Sequence, residues 1–142
     1  MRVDLKKARA LSLKILKSSD EREFTEVRLY APAGPGGNKK KLPAVTVDTM
    51  NSSLSEMVRG RVPETAMFGE NEDGKIDLRI LVDKCMVEVF ANERNVVMQM
   101  VYPTLPDSTG ISLKALGSDI VIENLKVWKM RGIYDDIESD GE

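Results

Sequence analysis

The sequence predicts an all-β fold, a sandwich of two antiparallel sheets, and three observations carry that prediction. Apolar and polar residues alternate with a period of two through most of the chain, as in strands with one buried face. Two of the clearest runs are joined by only two residues, a tight hairpin link. Short β-rich pieces then recur between clusters of Gly, Ser, Asp and Asn, a spacing suited to a sandwich or barrel.

The elements follow from that pattern. Leu11, Leu13 and Ile15 alternate as a strand. Leu5, Ala8, Ser12 and Ile15 also fit a helical face behind a cap at Asp4, but strand from Leu11 onward is preferred. Phe24 to Tyr30 and Ala44 to Asp48 are the next strands. Between them Ala31 to Lys41 holds Pro32, Gly34, Pro35, Gly36 and Gly37, the composition of a mobile loop. Asn51 to Gly74 shows no clean period and is expected to form long connections around one short strand near Ser55 to Arg59.

The second half is more regular. Ile76, Leu78, Ile80 and Val82 share one side of a strand, and Cys85, Val87 and Val89 alternate with Met86, Glu88 and Phe90. Asp83 and Lys84 serve as the hairpin turn between them. Asn92, Glu93, Arg94 and Asn95 precede a third run, Val96 to Tyr102, and asparagine tolerates the positive backbone angles a turn requires. Ile111 to Ala115, Ile120 to Ile122 and Leu125 to Met130 complete the set. The expected organisation is a linker or short N-terminal segment over residues 1–10, a β-sandwich module over 11–134, and an acidic, fraying tail over 135–142.

Composition narrows the chemistry. The chain has 142 residues, 42% hydrophobic and 31% charged, enough for one domain with its own core. Its 21 bases against 23 acids give a net charge of −2, which offers nucleic acid no electrostatic attraction. Five of the acids lie in the tail, so the remaining 18 leave residues 1–134 at +3. No histidine is present, which removes Ser-His and Cys-His nucleophile pairs and imidazole metal sites. Cys85 is the sole cysteine, so neither an internal disulfide nor a thiolate cluster can form, and its phase beside Val87 and Val89 reads as a small buried group. Ala8 to Leu16 is interrupted by Arg9 and Lys14, too polar for a signal-peptide core and too short to span a membrane.

Paired carboxylates are the catalytic equipment that remains, and glycoside hydrolysis uses two of them about 5–9.5 Å apart. Asp83 and Glu88 are the tempting pair, yet a turn role and a sheet-surface role account for them. Glu70 to Gly74 looks like a calcium loop, but alignment on Gly74 puts Gly69 and Ile80 where carboxylates are required. Lys39, Lys40 and Lys41 lack the pattern of a phosphate loop. No catalytic residue, metal or cofactor is therefore assigned. Phe90 and Trp128 fall within strand runs and are expected in the core. Tyr102, Tyr134 and, less clearly, Tyr30 remain as surface platforms for a sugar ring.

Lys75-Ile-Asp-Leu-Arg-Ile-Leu-Val-Asp-Lys-Cys-Met-Val-Glu-Val-Phe-Ala-Asn92 resembles the characteristic hairpin in the carboxy-terminal β-sandwich of the family 32 glycoside hydrolases. These are the invertases, levanases and inulinases that cleave fructose from sucrose and fructans. Asp83, Val87, Glu88, Val89, Phe90 and Asn92 match that hairpin. Tyr102 to Leu113 and Leu125 to Tyr134 resemble the next two landmarks, in order, and Thr46 to Ser53 fits an earlier strand and turn. Glu93 and Arg94 stand where the family often has glycine, and Cys85 where serine is common.

The resemblance implies a module without its engine. In the family the three working carboxylates lie in an amino-terminal five-bladed propeller, on motifs of the kind Asn-Asp-Pro, Arg-Asp-Pro and Glu-Cys. This sequence has no Asp-Pro dipeptide, and Lys84 precedes its cysteine. The expected role is an accessory module, silent alone, partnered by such a propeller or by a second copy through an exposed apolar face. A free-standing fructan-binding module is the alternative, and Tyr102, Trp128 and Tyr134 are the candidate interface or sugar contacts.

Overall fold

The computed structural model describes residues 1–33 and 42–130. They form ten strands: β1 (Arg2–Asp4), β2 (Ala10–Lys17), β3 (Thr25–Ala33), β4 (Leu42–Asp48), β5 (Glu64–Met67), β6 (Ile76–Asp83), β7 (Met86–Ala91), β8 (Asn95–Met100), β9 (Gly110–Leu116) and β10 (Val121–Glu123). Two five-stranded sheets result, in the orders β10-β1-β6-β7-β8 and β5-β4-β3-β2-β9. Every pairing is antiparallel, so the predicted all-β sandwich is the fold. No helix occurs among the described residues, and the helical alternative at the amino end falls with it.

The core lies where the inward phases of the two sheets meet. Val3, Ile76, Leu78, Val87, Val89, Ala91, Val97 and Val101 from one sheet face Leu11, Leu13, Ile15, Val27, Leu29, Val45 and Val47 from the other, all buried. Most are β-branched, which suits a pleated surface. Residues 1–10, expected as a linker or short segment, place β1 inside the first sheet between β10 and β6.

The structure departs from the sequence pattern at several places. The short strand expected near Ser55 to Arg59 is instead β5, Glu64–Met67, paired to β4. Its side chains are mostly exposed, so no burial periodicity marks it. The segment read as a loop from Ala31 begins with the end of β3, and residues 34–41 lie outside those described. Leu125 to Met130 alternates like a strand, yet it pairs with no described strand, and Leu125, Val127, Trp128 and Met130 are exposed. The hairpin register also shifts by one. Asp83 pairs with Met86, so Lys84 and Cys85 make the turn and Cys85 is half-buried in it.

The side chain that organises one end of the sandwich is a buried glutamate that the sequence pattern did not single out. Glu23 is fully buried. Its carboxylate accepts hydrogen bonds from the Leu54 N–H (2.8 Å), the Thr104 N–H (2.8 Å) and hydroxyl (2.6 Å), the Leu105 N–H (2.9 Å) and the Ser108 hydroxyl (2.7 Å). Three connections, β2–β3, β4–β5 and β8–β9, are thereby tied to one pair of oxygens. Burial by itself raises the pKa of Glu23, but the donors from Thr104, Leu105 and Ser108 outweigh it and hold the carboxyl at about 2, against an ordinary value of 4.5. The folded state therefore gains stability that is complete above pH 4.5 and is lost as pH falls toward 2.

Two predictions follow from this backbone. Glu23→Gln places amide hydrogens against N–H donors and is expected to lower unfolding free energy by about 2–4 kcal/mol. Urea unfolding at pH 7 and pH 3 checks it: the variant should lose much of the wild-type drop between those pH values, and an unchanged drop would exclude Glu23 as its cause. Glu93 is exposed and holds a φ of +54° in the β7–β8 turn, a conformation costly for residues other than glycine, asparagine and aspartate. Glu93→Gly is expected to raise stability by about 0.5–1 kcal/mol, read from the urea midpoint.

Candidate functional site

The hairpin residues singled out by the sequence divide by strand phase. Val87 and Val89 are fully buried against the opposite sheet. Glu88 and Phe90 lie on the outer face, half-exposed, which places Phe90 outside the core where it was expected. Trp128 is likewise exposed, at 72%, because the segment carrying it joins neither sheet within the described residues. Tyr134 lies outside them.

Asn92 has a structural task at the other end of the sandwich. It takes a φ of +51°, which asparagine tolerates, and is buried. Its side-chain oxygen accepts the Asp77 N–H (2.8 Å) and the Asn71 amide (3.2 Å), while its amide donates to the Gly69 carbonyl (2.8 Å). It thus joins the β7–β8 turn to β6 and to the connection preceding β6. The acidic run before Gly74 belongs to the same cluster. Asp73 accepts a hydrogen bond from Arg2, whose guanidinium also bonds both oxygens of Asp77. That hydrogen bond from Arg2 holds the Asp73 carboxyl below the usual range.

Asp83 and Glu88 do not form a catalytic cleft. Leu81 is opposite Glu88 and Met86 is opposite Asp83, so the two residues are diagonal neighbours on one sheet face, their backbones by sheet geometry about 7–8 Å apart. Both groups therefore project from one surface in one direction. An acid and a nucleophile must flank the scissile bond from opposite sides.

The two outer faces of the sandwich differ sharply. On the sheet containing β2, β3 and β4 two outward rows are polar, Asp48-Glu26-Lys14-Ser112 and Thr46-Arg28-Ser12-Lys114, and a third, Ala44-Tyr30-Ala10-Leu116, is mostly apolar. Glu26 holds Arg28 through both carboxylate oxygens and accepts from Ser12, and Arg28 donates to the Tyr30 hydroxyl. On the sheet containing β6, β7 and β8 the outward rows are Arg79-Phe90-Val96, Leu81-Glu88-Met98 and Asp83-Met86-Met100. Val96 and Met98 are each 53% exposed, and Tyr102 continues the line.

A hollow of about 420 Å³ opens where this apolar face reaches the Glu23 end, lined by Thr49, Ser52, the stretch Met57 to Arg59, Arg61, Met100 and Tyr102. Its two walls are the β4–β5 connection and the chain leaving β8, which Glu23 ties together through Leu54 and Thr104. Sequence reasoning found Tyr102 but not Arg59 or Arg61, which sit in the stretch without periodicity.

Residues 1–129 match the family described as "Glycosyl hydrolases family 32 C terminal". Among curated proteins the chain is 32% identical over 136 residues to a rice protein (Oryza sativa subsp. indica) named "Beta-fructofuranosidase, insoluble isoenzyme 1", covering 90% of this chain and 23% of that one. A second rice protein, "Beta-fructofuranosidase, insoluble isoenzyme 2", is 31% identical over 82% of this chain and 21% of its own length. The chain thus spans less than a quarter of these relatives. Among solved structures, that of an exo-inulinase from Aspergillus awamori superposes with a TM-score of 0.61 at 18% identity, over 84% of this chain and 23% of that one, a likeness of fold. No helix among the described residues is long and apolar enough to cross a membrane.

Asn92→Ala removes both the acceptor for the Asp77 N–H and the donor to Gly69. It is expected to cost about 2–3 kcal/mol, measured by urea unfolding. Asp83→Asn should change stability by less than about 0.5 kcal/mol, as befits an exposed residue at the end of β6.

Proposed function

Because the chain belongs to the carboxy-terminal domain family of the family 32 glycosyl hydrolases, we propose that it is the accessory β-sandwich of a fructose-releasing glycosidase. It packs against a separately folded catalytic domain, a five-bladed propeller, and breaks no bond itself. The carrying observation is the contrast between the outer faces. One is laced with ion pairs and hydrogen bonds; the other presents Phe90, Val96, Met98 and Met100 around Glu88. An exposed apolar area rimmed by polar residues marks a docking surface, and faces between domains of one chain bury about 600–1,500 Å². In the absence of a catalytic domain, the same face takes a second copy of this chain.

The test uses the full chain mixed with a separately produced family 32 catalytic domain. The chain is expected to raise the melting temperature of that domain by several degrees and to release no fructose alone. Met98→Asp should abolish the stabilisation and any self-association while leaving the fold intact by circular dichroism. Fructose release by the chain alone, or stabilisation that survives Met98→Asp, would overturn the reading.

A further inference from the structure

We propose that the hollow at the Glu23 end is a carbohydrate subsite, with Tyr102 as its stacking platform and Arg59 and Arg61 as hydrogen-bond donors to sugar hydroxyls. The inference rests on the reading that this chain works beside a fructan- or sucrose-cleaving domain, and it deepens that reading by giving the module a ligand contact of its own.

Four features of the hollow support it. Its volume of about 420 Å³ falls within the range of small-ligand sites. The Tyr102 ring is 48% exposed, so it keeps a face for the C–H side of a sugar ring, and an aromatic ring with a polar tip suits such a ligand. Arg59 and Arg61 line the same hollow, and neither makes a salt bridge with a described residue. Their donors are therefore uncommitted among the described residues, with five N–H groups available on each guanidinium. The Ser52 hydroxyl on the wall is spent on the Thr49 carbonyl (2.8 Å), and Met57, Val58 and Met100 give an apolar lining.

Pre-organisation is the fourth feature. The wall from Ser52 to Arg61 and the wall from Met100 to Tyr102 belong to different sheets. Glu23 bonds the Leu54 N–H of one wall and the Thr104 N–H of the other with the same carboxylate oxygen. A hollow whose walls are already fixed spends less binding energy on ordering them.

A second groove, about 550 Å³ beside Arg9, Arg28 and Tyr30, serves as the contrast. There the Arg28 guanidinium is held by Glu26 and also bonds the Tyr30 hydroxyl. That guanidinium and the Tyr30 hydroxyl are thus spent on each other and on Glu26, which leaves Arg9 as the groove's uncommitted donor among the described residues, and the groove makes a natural control. The Tyr102 hollow is lined by no carboxylate, so it can hold a saccharide but has no group to protonate a leaving oxygen or attack a sugar carbon.

The experiment titrates the full 15N-labelled chain with oligosaccharides from inulin and from levan, using dextran oligosaccharides as a control, and follows amide shifts. Saturable shifts confined to residues 49–61 and 100–104 are expected. Tyr102→Ala should weaken binding about tenfold or more, while Tyr102→Phe keeps most of it and Tyr30→Ala leaves it unchanged. Absence of saturable shifts, binding that survives Tyr102→Ala, or shifts centred on Tyr30 would each overturn the proposal. If the hollow responds only to an acidic peptide, it is a protein contact and the proposal fails as well. Docking to a catalytic domain is read separately through Met98→Asp, so either reading can fall without the other.

Discussion

A single carboxylate determines how one end of this sandwich is built. A sandwich core holds strands together by burying apolar side chains, but it exerts little control over connections that run beyond the sheets. The β4–β5 and β8–β9 connections are long and contain few buried apolar residues. What fixes them is Glu23, whose oxygens gather three backbone N–H groups and two hydroxyls. Burying a charge is costly unless its hydrogen-bonding capacity is filled, and here it is filled from two connections 31 to 85 residues away in sequence. Asp107 adds a second tie between the same stretches, accepting from the Ser19 backbone and hydroxyl.

From that constraint the division between the two outer faces gains its meaning. The sheet containing β3 satisfies its surface internally, with Glu26, Arg28, Ser12 and Tyr30 bonded in series. Among the described residues nothing comparable covers Val96 and Met98. Because Glu23 fixes the chain leaving β8, the apolar line along that strand continues to Tyr102 and ends at a hollow with fixed walls. The flat part of this surface suits a protein partner, while the concave part has the mixture of ring, guanidinium and hydroxyl that suits a polyhydroxylated ligand. Among the described residues neither part places two carboxylates across a gap.

Much of the fold was legible because alternation and burial coincide in β4, β7 and the first half of β6, while in β8 they oppose, Gln99 being buried and Val96 and Met98 exposed. Where they part, the pattern misled. β5 is an exposed edge strand, held by backbone pairing to β4, and backbone pairing leaves no mark on residue type. Leu125 to Met130 alternates without a described strand to pair with, so its period reports what the segment could bury and not what it does bury. Glu23 left one faint signal: it falls in phase with Thr25, Val27 and Leu29, the inward side of β3. One acid among three in the run Asp20 to Phe24 reads as turn surface, however, and its donors are scattered along the sequence. Tyr102 was visible as an aromatic outside the core pattern. Arg59 and Arg61 were not, since surface arginines in an aperiodic stretch look alike until the fold brings them beside a ring.

Glu88 sits at the centre of the apolar face, opposite Leu81 on one side and Met98 on the other. In the free chain water solvates its carboxylate. When a partner covers the face, that solvation is lost, and the cost exceeds what the surrounding methionines return unless the partner brings a cation or hydrogen-bond donors to the same point. An apolar surface that also carries Arg79, Glu88 and Asp83 therefore discriminates more than a purely apolar one: it accepts matching charges and rejects greasy surfaces that lack them. If the face docks a partner as proposed above, Glu88 helps to choose it.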